Sequence, residues 1–193
     1  MADNARGILL GFLAHEDLSG YDLKKRVSGS VGKFWDMGYG QIYPALKEME
    51  REGLAVALPG SRGKGPERTA YRITDEGRAT LARWLREPRE REHLRFEAML
   101  KLFFGGALEA EENVRRVERF GERHWGELEE ILQFKRNLEG APDGADHLYY
   151  YLTVLFGEKI HRACLEWARE ARGLIEARAE ERGGTHDPAA IDP

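Results

Sequence analysis

One cysteine, Cys164, stands in 193 residues, so neither an intrachain disulfide nor a multi-cysteine zinc site can form. The ordinary role of such a residue is a small hydrophobe on a helix. Long apolar runs are missing too. The longest, residues 8–14 and 148–152, fall far short of the roughly 20 residues a bilayer core demands, which argues against a membrane-spanning helix. The first of these runs follows no basic segment and leads into Glu16 and Asp17 rather than a small-residue cleavage site. No secretory signal is read there, and a cytoplasmic location is expected. Catalytic signatures are absent as well: there is no nucleophile elbow and no dinucleotide fingerprint, and residues 60–65 lack the lysine and hydroxyl ending of a phosphate loop. The expectation is a protein that is not an enzyme and carries no cofactor.

An excess of positive charge is also lacking. The net charge is -4, which speaks against indiscriminate coating of nucleic acid, but the total hides a division. Residues 1–88 carry +2 and residues 89–193 carry -6. Within the first half, Lys24, Lys25, Arg26 and Lys33 lie in a stretch without acids, and Arg62, Lys64, Arg68 and Arg72 outnumber Glu67. An anionic partner is to be sought at those two clusters.

What is present is helical periodicity interrupted once. Ile8, Leu9, Phe12 and Leu13 draw an apolar stripe over about three turns. Ser19-Gly20 opens a second helix with its apolar face at Leu23, Val27, Val31 and Phe34. A third runs from about Gly40 to Glu52 and buries Ile42, Ala45, Leu46 and Met49, with Pro44 tolerated because it lies in the first turn and Gly53 closing the end. The period then drops from 3.6 to 2. Leu54, Val56 and Leu58, then Thr69, Tyr71 and Ile73, alternate as two short strands around a loop of glycine, proline, Arg62 and Lys64. Thr74 caps a fourth helix whose buried side is Leu81, Trp84 and Leu85.

Residues 86–92 are charged, hold Pro88 and have no apolar side chain, so they read as a linker between two domains, 1–88 and 94–182. Beyond the linker the pattern is helical throughout. Residues 94–108 are strongly apolar, and residues 109–139 repeat Val114, Val117, Gly121, Trp125 or His124, Leu128, Ile131 or Leu132, Lys135 and Leu138 at intervals of three and four, the seam of a helix packed along another. After a turn at residues 141–144, a helix from about Asp146 to Arg182 would be roughly 55 Å long at 1.5 Å per residue. So long an apolar face implies a partner chain. Residues 183–193 hold little to bury and are expected to be a disordered tail.

The fold class is therefore mainly α: a winged helix-turn-helix domain, then an all-helical domain expected to dimerise. In a winged helix the third helix enters the major groove and the hairpin reaches the backbone or minor groove. Burying Ile42, Leu46 and Met49 turns Gln41, Tyr43, Pro44, Lys47, Glu48 and Arg51 outward. Gln41 suits adenine, Tyr43 a phosphate or thymine methyl, and Lys47 the backbone charge. Glu48, Glu50 and Glu52 would repel phosphates, which confines contact to the N-terminal end of the helix. The candidate DNA-binding set is Gln41, Tyr43, Pro44, Lys47, Arg62, Lys64, Arg68, Lys24 and Lys25. The residues leave one alternative open, a winged-helix protein-interaction or scaffold module that does not bind DNA.

Ser19-Gly20-Tyr21-Asp22-Leu23, then Gly40-Gln41-Ile42-Tyr43-Pro44-Ala45-Leu46 with Glu52-Gly53-Leu54, then residues 68–77, resemble three signature stretches of the PadR family of transcriptional regulators. Residues 97–104 and 151–167 resemble its longer subfamily, which has a helical C-terminal dimerisation domain. The resemblance implies a homodimeric repressor on pseudo-palindromic double-stranded operator DNA, released when a small phenolic or planar effector binds. Tyr21 and Tyr150 are the candidate effector residues. Glu158 and His161 form an E-x-x-H pair of the kind used in di-iron bundles, but no second pair accompanies it and His124-Trp125-Gly126-Glu127 has the reverse order. No metal site is expected.

Overall fold

The computed structural model describes residues 2–35, 37, 39–58, 69–88, 95–141, 144 and 146–183. It divides into two compact units, Met1–Glu92 and His93–Pro193. The loop residues Arg62, Lys64 and Arg68, linker residues 89–92 and most of the expected tail, 184–193, lie outside the described residues.

In the first unit, α1 (Ala2–Leu13) buries Leu9, Leu10 and Leu13 almost completely. A short strand β1 (Leu18–Ser19) leads straight into α2 (Gly20–Ser28), and Ser19 is its N-cap. The Asp22 N–H donates to Ser19 Oγ at 3.2 Å while the Ser19 N–H donates to Asp22 Oδ2 at 3.3 Å, a reciprocal capping box. The sequence carries this helix on through Val31 and Phe34, but it ends at Ser28. The ladder runs on to the Gly29 N–H, which donates to the Lys25 carbonyl; at Ser30 the hydroxyl takes the Arg26 carbonyl while the N–H turns to Val27, and Phe34 is left exposed.

Helix α3 (Ile42–Arg51) follows a 3₁₀ turn at Tyr39–Gln41. Pro44 is its third residue, where no intrahelical N–H partner is lost. Its far end is a Schellman motif. Gly53 takes φ 71°, its N–H reaches the Glu50 carbonyl at 3.1 Å, and the Leu54 N–H reaches Met49 at 2.8 Å. Leu54 is thereby turned into the core as part of the helix end. This shifts the strand pattern: in β2 (Ala55–Leu58) the buried residue is Ala55, whereas Val56, expected inward with Leu54, is exposed.

The sheet has three strands where the alternation predicts two. Strand β3 (Ala70–Ile73) pairs antiparallel with β2, Ala55 opposite Ile73, and also with β1, Leu18 opposite Tyr71. A strand of two residues has no period to read. Helix α4 (Asp75–Leu85) is capped by Thr74 as expected, with the Gly77 N–H donating to its hydroxyl oxygen at 3.0 Å. Leu85, expected on the buried side, is exposed. Trp84 takes the place against α1, where a Cβ on Gly7 would lie 2.5 Å from the indole, so the neighbouring Leu85 turns away.

In the second unit, α5 (Glu97–Phe103) and a 3₁₀ turn at Gly105–Ala107 precede two long helices, α6 (Ala110–Glu139) and α7 (His147–Gly183), of 30 and 37 residues. They pack antiparallel, pairing Phe120 with Trp167, His124 with His161 and Lys135 with Glu158. Val117, Leu128 and Ile131 are buried in the seam. Of the two choices the heptad left open, His124 faces α7 and Trp125 is exposed. No helix among the described residues is long and apolar enough to cross a membrane.

Candidate nucleic-acid interface

The core of the first unit determines which way α3 faces. Ile42, Leu46 and Met49 are at most 1% exposed, packed with Leu9, Leu13, Leu23 and Val27 of α1 and α2. At 100° per residue this leaves Gln41, Tyr43, Pro44, Lys47, Glu48 and Arg51 on the solvent side, and all six are exposed. Gln41 stands at the N-cap position without a side-chain cap bond, so its amide is not spent on the helix end.

Tyr43 is 53% exposed, and its ring rests on the first residue of α2. A Cβ on Gly20 would lie 2.6 Å from Tyr43 Cε1, well inside contact distance. Gly20 therefore does more than open a helix. Its missing side chain makes the seat for the ring, a role that residue spacing does not betray because the two positions are 23 residues apart.

The charges divide into tied and outward groups. Arg51 engages Glu48 through two hydrogen bonds, one of them Nε to Oε2 at 3.0 Å, holding the Glu48 carboxyl below its usual range. Glu52 pairs with Arg6 at 3.0 Å. Two of the three acids that the sequence sets against phosphate are thus matched by arginines. Two cations of the basic clusters are matched as well: Arg26 binds Glu16, and Arg72 binds Asp17 through Nε at 3.0 Å. Lys25 and Lys47 are exposed, and Lys24 is half-buried on α2. Among the described residues the cationic supply around α3 is accordingly thinner than the sequence count suggests.

Tyr21 and Tyr150 are both exposed, and they belong to different units. A groove of about 390 Å³ in the first unit, lined by Ala5, Arg6, Gly40, Gln41, Pro44, Ala45 and Glu48, contains neither. Glu158 of the E-x-x-H pair is consumed by an ion pair with Lys135 at 2.9 Å and another with Arg162 at 2.8 Å. Among the described residues no three potential metal ligands come together.

Comparison with known proteins finds transcriptional regulators. Residues 9–83 match the transcriptional regulator PadR-like family, and residues 94–176 match the virulence activator alpha C-terminal family. The negative transcriptional regulator PadR of Bacillus subtilis is 35% identical over 105 residues, 54% of this chain and 58% of that protein. The chain thus matches under two thirds of that relative's length. Bacillus subtilis PadR solved in complex with operator DNA superposes with a TM-score of 0.78 at 26% identity, covering 88% of this chain and 98% of that one. The same protein solved with p-coumaric acid gives 0.72 at 25%, covering 89% and 98%.

Proposed function

We propose, from the match of residues 9–83 to the PadR-like family of transcriptional regulators, that this chain is a PadR-type regulator, a homodimeric cytoplasmic repressor that binds pseudo-palindromic operator DNA. The observation that carries the reading is α3, buried by Ile42, Leu46 and Met49 and presenting Gln41, Tyr43, Pro44 and Lys47 to solvent at its N-terminal end. That end bears the positive pole of the helix dipole, which favours a phosphate. Lys24 and Lys25 on α2 add backbone contacts, and Arg62, Lys64 and Arg68 belong to the wing in this reading. Residues 1–88 act as the DNA-binding domain and residues 94–182 as the dimerisation and effector domain.

Dimerisation is supported by the face of α7 turned from α6. Leu148, Leu152, Phe156 and Ile160, four residues apart, are all exposed, and a stripe of this kind calls for cover. The relative solved with p-coumaric acid supports a planar effector for this chain too; Tyr21 and Tyr150 are each, separately, candidate aromatic contacts for it. An effector that binds better to a dimer with its reading helices wrongly spaced would empty the operator by population shift.

A gel shift on the DNA upstream of the chain's own gene tests the reading. Gln41→Ala combined with Lys47→Ala should abolish the shift while the dimer survives. Unchanged binding, or none by the native protein, would favour the protein-interaction scaffold.

A further inference from the structure

The seam between α6 and α7 is apolar at Val117, Phe120 and Ala168, yet it holds two imidazoles in direct contact. His124 Nδ1 and His161 Nδ1 are 2.8 Å apart, a hydrogen-bond distance, with ring centroids at 4.9 Å. One nitrogen must carry the proton and the other the lone pair. The surroundings hold the rings in place. Phe120 lies 4.3 Å from the His124 ring, and Phe96 approaches it edge-on at 6.2 Å.

The arrangement accepts one added proton but not two. A single imidazolium still donates through Nδ1 to its neutral partner. When both rings are charged, both Nδ1 atoms carry hydrogen, and two donors and two positive charges meet at 2.8 Å. We propose that the His124–His161 contact is a proton-sensitive latch between α6 and α7, closed at neutral pH and forced open when acid charges both rings.

Around the latch, the balance of burial and charge at His124 is against protonation. On α6, Arg123 disfavours charge on His124 and Glu127 favours it, but burial and His161 are the larger influences, and together they hold the imidazole below its ordinary range. At the N-cap of α5 the neighbour is the Phe96 ring, and the Glu97 carboxylate beyond it is paired with Lys101. On α7, Glu158 is one turn from His161, but Lys135 and Arg162 occupy both its oxygens. Cys164, one turn the other way, is a thiol that burial keeps protonated.

The direction of the effect follows. A histidine whose native pKa is depressed stabilises the fold above the free value of about 6.5, and that stability is lost as pH falls below it, because the opened state binds more protons. One excluded proton multiplies the opening equilibrium about eight-fold between pH 7.0 and pH 5.5.

The test uses the full chain. Hydrogen exchange of α6 and α7 amides around residues 120–128 and 157–165, corrected for the chemical pH dependence of exchange, should lose about eight-fold in protection over that interval. His161→Asn places a neutral amide near the position of Nδ1 and should flatten the dependence, as should His124→Asn. Nitrogen-15 imidazole titration of the native chain provides a readout if the variants do not fold. Two split titrations, the lower well below the ordinary imidazole range, support the latch. Two independent titrations near the ordinary value, or an acid loss that persists in both variants, overturn it.

Discussion

At the scale of single residues, absent side chains do as much as those present. Gly20 is a seat for Tyr43, and the proposal that Tyr43 touches DNA makes that seat testable. Gly20→Ala should displace the ring and lower operator affinity about five-fold, near 1 kcal/mol. In a Tyr43→Ala background the same change should do nothing further, since the effect runs through the ring. Equal loss in both backgrounds, measured by fluorescence anisotropy, would mean that Gly20 serves α2 instead. Gly77 gives a second case, this time of stability. A Cβ there would lie 2.1 Å from the Leu54 carbonyl oxygen, and backbone cannot swing aside as a side chain can. Gly77→Ala should lower stability by about 3 kcal/mol or more in denaturant titration, at the heavy end of single substitutions. Neither role was legible in the sequence, because both depend on contacts between elements. What was legible at this scale were the local rules: Ser19 and Thr74 as caps, Pro44 in a first turn and Gly53 past a last one.

At the scale of elements, periodicity found every long helix and missed what is short or shared. The third strand, β1, escaped because two residues show no alternation. Val56 was placed inward because the strand was counted from Leu54, which the Schellman motif assigns to α3. Phe34 was assigned to a helix that ends six residues earlier, just before the Ser30 hydroxyl takes the Arg26 carbonyl. On α3 itself, i,i+3 spacing holds Arg51 against Glu48, and in the proposed DNA complex this would govern how the element meets the backbone. Glu48→Gln releases the guanidinium toward phosphate, so the slope of log affinity against log salt should steepen by about 0.9, one added phosphate contact. Glu48→Gln with Arg51→Gln should restore the native slope. If the single variant already shows the native slope, Arg51 stays off the backbone whether tied or not. In the hairpin of the second unit, the buried Glu158 carboxylate is held by Lys135 and then Arg162, which keep it charged below the ordinary carboxylate range. Its folded pKa is depressed, so its contribution is present above the unfolded value and lost as pH falls through the native one. Glu158→Gln should therefore flatten the decline in stability below about pH 4.5, well under the window in which the histidine pair acts.

At the scale of the whole molecule, the deciding feature is an apolar stripe with nothing described against it. Along α7 the residues that meet α6, among them Glu158 and Ala168, are buried, while Leu148, Leu152, Phe156 and Ile160 repeat every fourth position on exposed surface. Exposed Phe103, at 82%, and Phe104 beside it extend the apolar surface of this unit onto the end of α5. The sequence alone predicted a partner from the helix length, and the structure shows which apolar side chains of α7 are exposed. If a second copy covers them, a charge in the middle of the stripe must be either solvated, by separating the copies, or buried unpaired at a cost of several kcal/mol. Phe156→Glu replaces the central aromatic, 64% exposed here, and should yield a folded monomer by light scattering with the helical content of the native chain. DNA binding then reports on the pairing. Two reading helices on one duplex bind with avidity, and their loss should weaken binding to the full operator by a hundred-fold or more while leaving affinity for an isolated half-site unchanged. For the proposed dimer, inserting five base pairs between half-sites should weaken binding in the same way, since half a helical turn places the second major groove on the far side of the duplex. A Phe156→Glu chain that remains dimeric would move the interface off this stripe without touching α3, whereas loss of half-site binding in a folded monomer would count against the reading helix itself.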